Sequence, residues 1–167
     1  MKTKFLFHAA LSALLLSGCA TNRDCALQRN KEIIRRYFEE WGNRADKTVA
    51  DELIATNVVL RNPPAVIHSL EEYKQGMVAF HAAFPDLRFT IEDEIAEANK
   101  IAVRWTLRGT HLGDYQGRSP TGKTIMVTGI SLFRLADGKI QEIWVNMDRL
   151  GQAEQLGWLP TPLQQPK

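Results

Sequence analysis

The side chains best suited to chemistry gather near the C-terminal end of the chain, where Trp144, Asn146 and Asp148 recur two residues apart. On a β-strand that spacing puts all three on one face. If Asp137-Gly138 forms a two-residue turn, Ala136 faces Lys139. Counting on sets Trp144 opposite Ser131, Asn146 opposite Gly129 and Asp148 opposite Val127. A carboxylate, an amide and an indole then share a surface with small residues that leave room. Glycine in mid-strand costs stability and often marks the close approach of a ligand or backbone. An aspartate buried beside aromatic rings has a raised pKa, which suits a general acid or base. The competing reading makes Asp148 the N-cap of a final helix, a position Asp fills well. The residues alone leave both open.

Other patterns carry less. Gly117-Arg118-Ser119-Pro120-Thr121-Gly122-Lys123-Thr124 satisfies the phosphate-binding spacing G-x-x-x-x-G-K-T, which works only between a strand and a helix N-terminus. Here Thr124 opens the run Ile125-Met126-Val127-Thr128, whose β-branched residues favour a strand, so the segment is expected to be a loop between strands. The histidines show no i, i+4 pairing with a second ligand, and no metal site is expected. His111 and His81 remain candidates for polar groups lining a pocket. No Gly-x-Ser-x-Gly elbow suggests a serine hydrolase.

The elements that must position these groups follow from periodicity. Ile33, Ile34, Tyr37, Phe38 and Trp41 recur at helical spacing and predict a helix over 26–41, stopped by Gly42. A short helix is expected at 49–54 and a strand at 57–61, broken by Pro63-Pro64. Ser69 with Glu72 forms a capping box for a helix running towards Phe84, and Pro85 stops it. Most of 87–148 reads as strand, with a polar, Gly-rich loop at 112–123 and the clearest hairpin at 125–148. A short helix at 150–156 precedes a Pro-rich tail, 159–167. Helices first and an antiparallel meander afterwards predict an α+β domain over 26–158.

The first 18 residues differ in kind. Lys2 and Lys4 precede an apolar stretch from Phe5 to Leu16, which reads as a cleaved secretion signal. The ending Leu16-Ser17-Gly18-Cys19 resembles the lipobox of bacterial lipoproteins, in which the cysteine is acylated and becomes the first mature residue. Residues 19–25 are then an acylated tether. Stable membrane attachment takes two or more acyl chains. Ala20 in place of an aspartate resembles outer-membrane lipoproteins, so a periplasm-facing, lipid-anchored protein of the cell envelope is expected. Without Lys2 and Lys4 the 21 basic residues fall to 19, matching 19 acidic ones. A near-neutral body with no basic cluster gives no footprint for nucleic acid. With Cys19 acylated, no disulfide framework is expected.

A set of ordered motifs points further. Ala82-Ala83-Phe84-Pro85-Asp86-Leu87 is followed by Val103-Arg104-Trp105-Thr106 and Arg108-Gly109-Thr110-His111. Pro120-Thr121-Gly122, Asp137-Gly138-Lys139-Ile140, Glu142-Ile143-Trp144, Asp148 and Leu150-Gly151 come after. In that order they resemble the SnoaL-like polyketide cyclases, or ester cyclases, over about residues 28 to 157. The resemblance implies a cone-shaped half-barrel of curved antiparallel sheet closed by N-terminal helices, of the nuclear transport factor 2-like type. It implies an aspartate at the end of the last long strand, here Asp148, as general acid/base for an intramolecular aldol closure without metal or organic cofactor. Tyr37, Asn62, Trp105, Trp144 and Asn146 are then expected in the pocket lining. Many relatives carry a histidine where this chain has Asn62, and polyketide cyclases work in the cytoplasm. Fold does not fix function.

Three expectations follow. The first is a cofactor-independent acid/base enzyme on a small apolar carbonyl compound, with Asn146 or His111 steadying the oxyanion. The second is an envelope lipoprotein that binds a hydrophobic ligand without turnover. The third is a domain whose sheet face pairs with a second copy and whose pocket is filled.

Overall fold

The computed structural model describes residues 22–159. The leader, Cys19 and most of the tail lie outside the described residues. Four helices and six strands follow in the order α1 (Asn22–Arg36), α2 (Lys47–Leu53), β1 (Ile54–Asn62), β2 (Ala65–Ile67), α3 (Leu70–Ala83), β3 (Arg88–Glu97), β4 (Lys100–Thr110), β5 (Thr124–Ala136), β6 (Lys139–Met147) and α4 (Arg149–Leu156).

The first helix starts at Asn22, so residues 22–25 of the expected tether are helical; Asp24 in the first turn suits the positive end of the helix. It continues as a π-helical turn over Tyr37–Gly42, which buries Tyr37, Phe38 and Trp41. α3 begins as the capping box predicts: the Ser69 hydroxyl accepts from the Glu72 N–H at 3.2 Å. Pro85 removes the next helical donor, and α3 ends at Ala83.

The sheet is curved and unclosed, with strand order β2-β1-β6-β5-β4-β3. β3 to β6 form the predicted antiparallel meander. β1, however, runs parallel to β6, so the expected antiparallel sheet is mixed. Parallel neighbours need a crossover. α3 begins that crossover, joining β2 at one edge to β3 at the other. This places a helix across the inner face, where β4 and β5 alternate buried and outward side chains in step.

The last hairpin departs from the predicted register. Ala136 does pair with Lys139 and Leu135 with Ile140, but Arg134 pairs with Glu142, leaving Gln141 as an extra residue. This bulge turns every later side chain of β6 to the other face. Leu132 rather than Ser131 lies opposite Trp144, and Ile130 rather than Gly129 opposite Asn146. The cause is visible in the apolar spacing: Ile140 and Ile143 both point into the core, three residues apart. A regular strand would send one of them into water.

Candidate functional site

Between the sheet's inner face and the helices lies a cavity of about 470 Å³, within the range of small-molecule pockets. Its depth is apolar and largely aromatic. Phe38, Leu60, Met77, Trp105 and Leu107 are all buried, and Phe89 meets Trp105 edge to face at 5.4 Å. Gly129 is the reason Trp105 fits: a Cβ there would stand 2.3 Å from the indole ring. The close approach expected at Gly129 is thus made by a side chain.

Few polar groups reach this depth. The Trp105 indole N–H donates to the Ser131 hydroxyl at 2.9 Å, leaving the serine proton free for another acceptor. Tyr37 in the π-helical turn and Tyr73 on α3 bring their hydroxyls to 2.5 Å of each other. Burial raises both phenols above their ordinary value of 10.0; Tyr73 adds to the rise in Tyr37, while the bond from Tyr37 opposes it in Tyr73. Both are therefore neutral at pH 7. Two hydroxyl protons and one mutual bond leave one proton to donate into the cavity.

The rim is polar. It is formed by Asn62, Pro64 and Ala65 at the β1–β2 turn, Gly76 on α3, Tyr115 and Gln116 in the long loop, and Arg149 at the start of α4. The Arg149 guanidinium donates to the Asn62 side-chain oxygen at 2.5 Å and approaches its carbonyl at 3.5 Å. Burial raises the Tyr115 phenol, and the nearby Arg149 charge partly offsets the rise. Among the described residues, Arg149 is the one charged side chain lining the cavity, and no aspartate, glutamate or histidine lines it.

The predicted site residues therefore separate. Tyr37, Asn62 and Trp105 line the cavity. The bulge places Trp144 and Asn146 on the opposite face, a correction to the predicted lining. The Arg61 guanidinium lies over Trp144, 5.1 Å from the indole ring centroid. Asn146 borders a shallow surface groove with Arg104, Thr128 and Ile130. His111 is fully buried but outside the lining, stacked 5.2 Å from Phe84. Its Nδ1 accepts from the Thr121 N–H at 3.2 Å. His81 faces the Gly42 carbonyl at 2.9 Å.

Asp148 is exposed and caps α4, accepting from the Gly151 N–H at 2.8 Å. Its chain neighbours, Met147 and Arg149, both line the cavity; its own carboxylate does not. Thr124 opens β5, so the phosphate-loop spacing is followed by a strand, as expected.

Tyr73, Tyr115 and Arg149 were missed from sequence. Tyr73 reads as an ordinary core residue of α3, and its partner is 36 positions away. Arg149 did carry a signal: a cation in the first turn of a helix opposes the helix dipole.

Fold and cavity together define a small α+β domain with a mainly apolar cavity beneath its helices. Residues 31–156 match the family model described as SnoaL-like polyketide cyclase. Two curated relatives are 30% identical over 141 residues, 78% of this chain: aklanonic acid methyl ester cyclase DauD of Streptomyces sp. (strain C5), covered to 84%, and DnrD of Streptomyces peucetius, covered to 93%. A SnoaL-like protein from Jannaschia sp. CCS1 shares the fold, with a TM-score of 0.76 at 24% identity over 84% of this chain and 100% of that one. The chain belongs to the SnoaL-like polyketide cyclase family.

Proposed function

We propose that the protein is a cofactor-independent cyclase or isomerase acting on a largely apolar carbonyl compound in this cavity. The neutral Tyr37–Tyr73 pair carries the reading. A phenol proton held in an apolar site is a preorganised donor to the oxygen of a forming enolate, where a hydrogen bond is worth far more than in water. These hydroxyls take the role expected of Asn146 or His111. Asp148, between two lining residues, is the proposed acid/base. It would release the Gly151 N–H, turn towards the rim, take a proton α to the carbonyl, and return it to the alkoxide formed on ring closure.

A second reading has its own observation. With no carboxylate or imidazole in the lining among the described residues, the same cavity holds an apolar ligand without turnover. In either case we propose attachment to the cell envelope through acylated Cys19, with the outer sheet face available to a second copy.

The test uses aklanonic acid methyl ester and its free acid, followed by chromatography for the cyclised product. Asparagine caps helices as well as aspartate does, so Asp148→Asn separates capping from proton transfer. Turnover by the wild type that falls about 100-fold or more in Asp148→Asn, with binding retained, supports acid/base catalysis. Saturable binding without turnover supports the binding reading. If neither compound binds or reacts, the proposed ligand class is wrong.

A further inference from the structure

Arg149 makes the mouth of the cavity unlike its depth. The guanidinium lines the cavity and is only partly exposed. Among the described residues its hydrogen bonds run to Asn62, a neutral partner. Four of the other arginines are held differently. Arg35, Arg36, Arg61 and Arg134 each meet at least one glutamate. Asp148, next in sequence, is held by the Gly151 N–H. Among the described residues, the guanidinium thus forms no ion pair, either with the lining or with Asp148 as it stands in the cap.

Its position is also costly. Arg149 is the first residue of α4, where the dipole's positive end disfavours a cation. The charge reaches the cavity wall, since it partly offsets the burial-driven rise at the Tyr115 phenol. A planar guanidinium with one side occupied by an amide oxygen keeps further N–H donors for a two-oxygen acceptor.

We propose that Arg149, positioned by Asn62, is a carboxylate subsite. The ligand is then a largely apolar, ring-bearing acid that enters rings first and leaves its carboxylate at the rim, facing Arg149. This rests on the proposed small-molecule pocket and deepens it: the preferred ligand is a free acid rather than its ester or amide.

Anthracene-2-carboxylate and anthracene-2-carboxamide serve as fluorescent probes, titrated into the lipid-free full domain beginning after Cys19 and, in detergent, into the full chain. The wild type is expected to bind the acid at least tenfold more tightly than the amide, with the ratio shrinking as salt rises. Arg149→Gln should abolish the ratio while leaving the amide affinity within about twofold, and Arg149→Lys should keep part of it. Equal binding of acid and amide by the wild type, or a ratio that survives in Arg149→Gln, overturns the subsite but leaves the pocket standing. Binding of neither probe overturns both. If Arg149→Gln fails to fold, the wild-type salt dependence and the Arg149→Lys ratio decide, and a salt-independent ratio unchanged in Arg149→Lys overturns the proposal.

Discussion

The hydroxyl pair of Tyr37 and Tyr73 shows how two ordinary side chains become a site only by meeting. Each phenol alone is a core residue with a polar tip. Together, buried at the cavity wall, they form a neutral donor. Removing one hydroxyl strands the other, so Tyr73→Phe should cost about 1–3 kcal/mol in denaturant unfolding. If the oxyanion reading holds, it should lower kcat more than it raises KM. Asp148 invites the complementary test. Asp148→Ala should lose about 1 kcal/mol through the missing cap, whereas Asp148→Asn should be near neutral in thermal melts. A large loss of stability in Asp148→Asn would mean that the charge does more than cap.

At the scale of elements, α3 and β5 set the cavity's shape. Gly76 lines the cavity from α3, faces solvent, and has nothing within 4 Å of where a Cβ would stand. A glycine inside a helix costs about 1 kcal/mol against a good helix former, and here it keeps the mouth open. Gly76→Leu should therefore raise stability by up to about 1 kcal/mol while weakening binding of the anthracene probes several-fold or more. Unchanged binding would place the entrance elsewhere. Gly129→Ala should do the reverse of stabilising. The new methyl collides with Trp105, and overpacking of this kind costs about 1–3 kcal/mol. The bulge at Gln141 belongs to this scale too: one extra residue decides which of two faces receives Trp144 and Asn146.

For the whole molecule, stability should fall at both ends of the pH scale. All three tyrosines are held above their ordinary 10.0, chiefly by burial. A raised native pKa stabilises the fold fully below pH 10, and that contribution declines as pH climbs beyond it. Alkaline titration should therefore show tyrosinate absorbance rising together with loss of the near-ultraviolet circular dichroism signal; tyrosinate in a folded domain near pH 10 would contradict the burial. At the acid end, hydrogen bonds from Arg134 and Arg61 hold Glu142 below its ordinary 4.5. Its contribution is complete above 4.5 and is lost as pH drops through the lower native value. Glu142→Gln should flatten the melting temperature against pH in that window.

Local signals (apolar periodicity, the Ser69 capping box and the Asp137-Gly138 turn) determined the helices, the last hairpin and the strands other than β2, because burial of one face and turn chemistry write themselves into local spacing. Tyr37, Asn62 and Trp105 were placed in the lining through the family motifs, which carry the fold's geometry with them. The capping role of Asp148 was legible as one of two readings, since a cap is a local bond; only the tertiary structure chose it. The parallel pairing of β1 with β6, the bulge that reverses the end of β6, and the meetings of Tyr37 with Tyr73 and Arg149 with Asn62 were decided there too. Each joins residues far apart in sequence or turns on a single inserted residue. Local spacing records which face a side chain takes, but not which distant side chain waits on it.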